Sequence, residues 1–152
     1  MKKLLLLTLI FSLLFTAVGC EPLFDKGAEE GLFGSCYVVI ATDPVKEYKV
    51  DLTKITPGEG LISVLKYLRD TEGLTFTETS GAYGAYLTAV DGLVAGDTAY
   101  IALYTSVTAD ADVSAYADPI SSKESTLTTA GVGASSLRIE EDAVYYIALV
   151  SY

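Results

Sequence analysis

Tyrosine is the residue type through which this sequence could do the most binding chemistry, with 11 tyrosines among 152 residues. Tyr83 lies in a glycine-flanked turn, Tyr86 follows three residues later, and Tyr100 and Tyr104 lie in a β-prone segment. Tyrosine offers a flat apolar ring with a polar tip, which suits a flat ligand or a protein partner. These four residues are therefore candidate ligand-binding residues. The alternative is that the tyrosines simply pack within a sheet.

The sequence contains no histidine, which excludes a Ser-His-Asp triad and any histidine-ligated metal. Asp110, Asp112 and Asp118 could offer oxygen ligands to Ca²⁺, but the glycine and terminal glutamate of an EF-hand loop are out of register. We therefore expect residues 108–122 to form a solvated acidic loop. The acidic residues 140–142 are adjacent in a turn, whereas glycoside cleavage needs two carboxyls that face each other. We predict no catalytic residue, no metal, no cofactor and no enzymatic activity.

The first 20 residues have the order of a secretory signal peptide. Two lysines at positions 2 and 3 precede an apolar run from Leu4 to Phe15, and small residues follow before Cys20. The uncharged stretch is a little shorter than the ~20 residues that cross a membrane, and no basic stop-transfer flank follows it. We therefore predict that residues 1–19 are a signal peptide that is removed.

The segment Ala17-Val18-Gly19-Cys20 resembles the lipobox of bacterial lipoproteins, with alanine where leucine is commoner. In that family the cysteine thiol is diacylated, so the resemblance implies a lipid such as palmitate on Cys20. Two acyl chains give stable membrane anchoring. We expect an extracytoplasmic protein, lipid-anchored to the cell membrane, in which residues 20–34 are the lipidated cysteine and a tether. Cys36 would then lack a disulfide partner, and we interpret it as a buried thiol.

The charge balance is strongly acidic. Without the signal peptide, eight basic residues stand against 20 acidic ones, which gives a net charge near −12. An acidic surface repels nucleic acid and anionic lipid head groups, so neither is an expected partner. The remaining 133 residues are enough for one domain with its own core, which we place at residues 35–152.

The chain first predicts a β-hairpin and then a helix. Residues 35–41 and 46–52 are β-prone and flank the turn signal Thr42-Asp43-Pro44. Thr56 followed by Pro57 and Glu59 has the pattern of a capping box, which predicts Thr56 as the helix N-cap. Leu61, Val64, Leu65 and Leu68 then recur at helical spacing, and Gly73 is placed to end the helix.

Strands dominate the remainder of the chain. Predicted strands cover residues 74–77, 85–90, 98–107, 125–129 and 144–151, with a turn at 79–84 between the first two. A single helix cannot cover both faces of a large sheet, which indicates an α+β fold rather than a doubly wound one. We predict a β-grasp-like mixed sheet with one crossing helix. A β-sandwich is the alternative, although it leaves the helix unexplained.

The stretch Gly58–Leu93 resembles the transcobalamin-like C-terminal domain family, and residues 98–106, 128–137 and 140–152 agree with that family in order. The resemblance implies a β-grasp-like domain, as found on surface lipoproteins and wall proteins of Gram-positive bacteria. It also implies that the four candidate tyrosines lie near one edge, and that the domain binds a ligand. In the vitamin B12 carriers of the family, this domain lies over the corrin ring. The chain departs from the family by carrying tyrosine at 100 and 104, where many members have tryptophan.

These observations lead to two hypotheses about function. The first is a cell-surface lipoprotein that acts as a non-enzymatic binding module for a corrinoid such as cobalamin or for another small molecule. The second is a structural or protein-interaction module that docks envelope proteins through an exposed strand edge. A hydrolase is disfavoured because no nucleophile has a visible base.

Overall fold

The computed structural model describes residues 31–114 and 118–152. The predicted signal peptide, Cys20 and most of the predicted tether lie outside the described residues. The nine strands of the described chain are β1 Ser35–Ile40, β2 Lys46–Asp51, β3 Phe76–Gly81, β4 Gly84–Val90, β5 Leu93–Val94, β6 Ala99–Thr105, β7 Ile120–Ser122, β8 Ser125–Thr129 and β9 Val144–Ser151. One α-helix is described, α1 Leu61–Glu72, together with 3₁₀ turns at Leu52–Lys54 and Thr108–Asp110. In these residues no helix has the length and apolar character needed to cross a membrane.

The large sheet has six strands in the order β2-β1-β9-β6-β8-β7. Strands β1 and β9 are parallel, with Val39 opposite Tyr146, and every other pair in this sheet is antiparallel. The β1–β2 hairpin and four further strands thus build a mixed sheet in which the first and last strands, β1 and β9, are interior neighbours. The α+β prediction with a β-grasp-like mixed sheet is confirmed. A second sheet, in the order β3-β4-β5, lies outside this arrangement.

The main core lies on the face of the large sheet that α1 covers. Alternate residues of β1 and β9 point to this face, and the helix residues predicted at the apolar positions are all buried against them. The members of this core include Cys36, Val38, Ile40, Leu61, Val64, Leu65, Leu68, Tyr145 and Ile147. Each fully buried leucine contributes about 1.5–3 kcal/mol of transfer free energy. The prediction that Cys36 is a buried thiol is confirmed, and within the described residues it is a free cysteine.

A smaller core lies on the opposite face of the same sheet. Val39, Leu127 and Val144 form it, and partly buried tyrosines and Ile120 surround them. Lys123, in the turn after β7, forms an ion pair with Glu47 on β2 and lies 5.9 Å from the ring of Tyr37. Since β2 and β7 are the two edges of the sheet, this contact shows that the sheet is strongly curled.

The helix begins four residues later than its capping-box pattern predicts. The N-cap is Gly60, not Thr56, and it makes no side-chain cap bond. The Leu61 N–H donates instead to the Leu137 carbonyl at 3.1 Å. A Cβ on Gly60 would lie 2.5 Å from that same oxygen, so close approach of two backbones sets the helix start. The predicted end is confirmed, because Gly73 is left-handed with a φ of 73°.

Several other boundaries differ from their predictions. Strand β3 extends to Gly81, beyond the predicted residues 74–77, because the turn before β4 contains only Ala82 and Tyr83. Residues 108–122 are not one long loop, since their described part holds a 3₁₀ turn and β7. β6 ends at Thr105, where the Thr105 hydroxyl accepts a bond from the Val107 N–H. The predictions for β8 and β9 are confirmed.

Candidate binding site

The β3–β4 hairpin carries two of the four candidate tyrosines on exposed positions. Tyr83 lies in the two-residue turn and is 70% exposed, and Tyr86 on β4 is 44% exposed. The ring of Tyr86 covers Gly81 across the hairpin, where a Cβ would come within 2.0 Å of a ring carbon. Glycine at position 81 therefore leaves the space that the Tyr86 ring occupies.

The other two candidates lie on β6 and share one side of it. Tyr100 and Tyr104 are four residues apart, which places both on the helix-free face of the large sheet. Tyr100 is 41% exposed and stacks on Tyr152, with ring centroids 5.6 Å apart. Tyr104 is half-buried and meets Tyr146 edge-on at 6.2 Å. Burial, and then the neighbouring Tyr100 and Asp118, raise the pKa of Tyr104 above its ordinary value.

A cleft of about 150 Å³ lies between β4 and β6 and joins the two pairs of tyrosines. Its lining is Tyr86, Leu87, Tyr100, Ile101, Ala102, Leu103, Thr129, Ala130, Val132 and Gly133. Tyr86 and Tyr100 thus border the same cleft, whereas Tyr83 and Tyr104 are outside its lining. The structure brings together one tyrosine from each pair.

The cleft also contains a stretch of unpaired strand edge. β6 pairs with β8 only through Tyr104 and Thr105. The Leu103 carbonyl points to this side, because it accepts a bond from the Ala130 N–H at 2.8 Å. Backbone groups of successive residues point to opposite sides of a strand. The N–H and C=O of Ile101, two residues before Leu103, therefore face the cleft as well. The cleft therefore offers an apolar wall and one free backbone donor and acceptor.

Close backbone packing holds the wall of the cleft in place. The Gly133 N–H donates to the Tyr83 carbonyl, and the Ala134 N–H donates to the Ala85 carbonyl, both at 2.7 Å. A Cβ on Gly133 would lie 2.7 Å from the Ala85 oxygen, so a larger residue would push the segment away from β4. The sequence analysis did not predict this contact. The glycine repeat Gly131-Val132-Gly133 is the sequence signal that could have indicated a close backbone approach here.

Two further grooves are more polar than the cleft. One of about 430 Å³ follows the outer side of α1 and contains the ion pairs Lys66–Glu59 and Arg69–Asp70 together with Lys54. The other, of about 340 Å³, lies between the start of α1 and the β3–β4 hairpin. Neither groove contains a candidate tyrosine from the sequence.

Two of the three aspartates in the segment 108–122 have structural partners. Asp110 was expected in solvent, but it is buried. Its carboxylate accepts a hydrogen bond from the backbone N–H of Arg138 at 2.6 Å and forms an ion pair with the Arg138 Nε at 3.4 Å. The Asp112 carboxylate accepts a bond from the Ser114 N–H at 2.8 Å, and Asp118 is exposed. Within the described ranges, no group of three metal-ligating side chains is close enough to hold an ion.

Comparisons with known proteins give a relationship at the level of the fold. No family model matches the sequence, and no curated protein matches it. Among solved structures, it is similar to haptocorrin in complex with Cbi, with a TM-score of 0.57 and 16% identity over 80% of this chain. That match covers 26% of the haptocorrin chain, so the chain spans about a quarter of that protein.

A second similar structure has nearly the same extent as the described domain. It belongs to a candidate metal-binding protein from Ruminococcus gnavus ATCC 29149, with a TM-score of 0.51 and 14% identity. The match covers 78% of this chain and 98% of that one. The fold of this chain therefore occurs both as part of a larger protein and as most of a small one.

Proposed function

We propose that this chain is a non-enzymatic binding module that holds a small molecule with a flat apolar part at the cleft between β4 and β6. The observation that carries the proposal is that Tyr86 and Tyr100 border one apolar cleft with 44% and 41% of their surfaces exposed. A tyrosine ring can stack on the flat part of a ligand, and its hydroxyl can bond to a polar edge. The peptide group of Ile101 supplies a further donor and acceptor within the cleft.

The size of the cleft limits how the ligand can be held. Pockets that enclose a drug-sized molecule measure about 300–1,000 Å³, and this cleft measures about 150 Å³. Only one edge of such a ligand would enter it, while the remaining surface would lie against the exposed tyrosine rings. We therefore expect a shallow site with micromolar rather than nanomolar affinity.

A corrinoid such as cobalamin is the first ligand to test. Two observations support this choice: the sequence resemblance to transcobalamin-like domains and the fold similarity to haptocorrin in complex with Cbi. A corrin ring is flat and carries polar groups on its rim, which matches a tyrosine-bordered cleft with a free peptide edge. We assign no reaction to the chain, because it contains no histidine that could serve as a general base.

The corrinoid proposal is tested by titrating the full chain, in detergent micelles, with cobalamin while the corrin absorbance is recorded. We expect saturable binding that Tyr86→Ala and Tyr100→Ala each weaken by about threefold to tenfold, since an aromatic stack is worth about 0.5–1.5 kcal/mol. Tyr67→Ala is the matched control, because Tyr67 lines the separate groove along α1. No binding at about 0.1 mM, equivalent to roughly −5.5 kcal/mol, would exclude a corrinoid.

The proposed location, a lipid anchor outside the cytoplasm, rests on Cys20 and is tested separately. We expect radiolabelled palmitate to be incorporated into the chain and to be lost in Cys20→Ser, with the protein moving from the membrane to the soluble fraction. Cys36→Ala is the matched control, because Cys36 is buried and the pKa of its thiol is raised by burial to about 12. Label that persists in Cys20→Ser, or that disappears in Cys36→Ala, would contradict the anchor at Cys20.

A further inference from the structure

The strand β3 has one edge that no other described strand occupies. It pairs with β4 alone, with Ser80 opposite Ala85. The Ala85 N–H donates to the Ser135 hydroxyl at 2.8 Å and its carbonyl accepts from the Ala134 N–H at 2.7 Å, so both groups point away from β3. Opposed residues of an antiparallel pair exchange both backbone bonds or neither. The peptide groups of Ser80, and by alternation those of Glu78, therefore face the free edge.

A groove of about 340 Å³ lies between the β3–β4 hairpin and the start of α1. Its lining includes four consecutive residues of β3, from Glu78 to Gly81, together with Gly84 and Ala85 of β4. The opposite side is formed by Glu59, Ile62 and Ser135. The lining holds several hydroxyls, the carboxylate of Glu78, and the carboxylate of Glu59, which is paired with Lys66. Side chains of an added strand that enter the groove would thus find room and the negative charge of Glu78.

The edge of β3 also lacks the features that protect the other sheet edges. The edge strand β2 carries charges at Lys46, Glu47, Lys49 and Asp51, which discourage pairing. The opposite edge strand, β7, has only three residues. By contrast, β3 has the sequence FTETSG, with one charge and with neither lysine nor proline.

We propose that β3 accepts, by strand addition, an extended segment of a positively charged protein partner. The charge of the partner follows from the Glu78 carboxylate of the groove and from the formal net charge of −10 on the chain. Glu78 forms no ion pair within the part of the chain that the structure describes, so its carboxylate is available to a partner. A second copy of this chain would bring the same negative charges to the edge and is disfavoured. The proposal is independent of the small-molecule site.

The test uses the full chain in detergent micelles and a synthetic probe peptide, Thr-Lys-Val-Lys-Thr-Lys-Val-Lys, with blocked ends. A peptide of equal charge with proline at every second position is the control, because it cannot form a strand. We expect the first peptide to slow amide hydrogen exchange at Ser80 and Glu78 by about tenfold or more, and the proline peptide to leave it unchanged. If the lysine peptide and the proline peptide give the same amide exchange rates at Ser80 and Glu78, the proposal is overturned.

Two variants, Ser80→Pro and Glu78→Lys, and the control Ser80→Ala locate the contact. Ser80→Pro removes the outward N–H, a change that an edge strand tolerates on its solvent side, and should weaken binding of the lysine peptide about tenfold. Ser80→Ala keeps the N–H and should stay within about twofold. Because Ser80→Pro could alter the hairpin, Glu78→Lys serves as a second variant. It should weaken binding of the lysine peptide and strengthen binding of the same peptide with glutamate in place of each lysine. Binding that both variants leave unchanged, or a dimer of the free chain that Ser80→Pro abolishes, would overturn the proposal.

Discussion

Asp110 connects two distant segments of the chain through its buried carboxylate. Its oxygens receive the Arg138 N–H, and the Arg138 carbonyl in turn accepts a bond from the Tyr145 hydroxyl at 2.6 Å. Composition alone indicated a solvated acidic loop here, because neighbouring aspartates usually face water. The partner that removes Asp110 from water is 28 residues away in sequence, so no local pattern reveals it.

Asp110→Ala is expected to lower the free energy of unfolding by about 1–3 kcal/mol, because it leaves the Arg138 N–H without its acceptor. Asp110→Asn keeps an acceptor oxygen and should lower the free energy of unfolding by less than Asp110→Ala does. Asp118→Ala, at an exposed position of the same segment, is the control and should change stability by no more than about 0.5 kcal/mol. Urea unfolding measures all three, and equal losses at positions 110 and 118 would contradict the structural role of Asp110.

At the scale of elements, the predictions succeed where periodicity decides and fail where distant backbone contacts decide. The apolar spacing of Leu61, Val64, Leu65 and Leu68 correctly gives the buried face of α1, and the apolar, aromatic-rich run of residues 144–151 correctly gives β9. The start of α1 depends instead on the Leu137 carbonyl, which lies far along the chain. The strands β5 and β7 have two and three residues, which is too few for a periodic signal.

In the candidate site, too, local sequence patterns predict some features and distant contacts determine the others. Exposure of Tyr83 follows from its glycine-flanked turn, and the shared face of Tyr100 and Tyr104 follows from strand alternation. The meeting of Tyr86 with Tyr100 at one cleft depends on how the small sheet packs beside β6, which no local pattern contains. The apolar lining from residues 129–133 was missed for the same reason.

At the scale of the whole molecule, Asp91 links the two sheets. It lies in the turn between β4 and β5 of the small sheet, and its carboxylate pairs with Lys46 at the start of β2 in the large sheet at 2.9 Å. The same carboxylate accepts a bond from the Thr75 N–H at 2.9 Å, just before β3. With 5% of its side chain exposed, Asp91 is a shielded junction between the hairpin of the large sheet and the sheet that carries Tyr86.

This junction predicts how stability should depend on pH. Burial alone raises the pKa of Asp91, but the bonds from Thr75 and Lys46 outweigh it and hold the pKa below its ordinary value of 3.8. A carboxyl whose pKa is lowered in the folded state stabilises that state above its unfolded pKa, and the contribution is lost as pH falls through the folded pKa. Stability of the native chain should therefore fall more steeply below about pH 4 than that of Asp91→Asn.

Asparagine tolerates the positive φ of 45° at position 91, so Asp91→Asn removes the charge without straining the turn. Asp97→Asn, in the exposed turn before β6, removes an unshielded charge and is the matched control. Urea unfolding of the three proteins between pH 2 and 7 gives the comparison. If the native chain and Asp91→Asn lose stability in parallel as pH falls, Asp91 does not join the sheets through its ionised carboxylate. If stability depends less on pH in Asp91→Asn than in the native chain and in Asp97→Asn, the ionised Asp91 carboxylate joins the two sheets and holds the cleft at Tyr86 in place. Acid should then release this junction, and ligand binding should weaken over the same pH range.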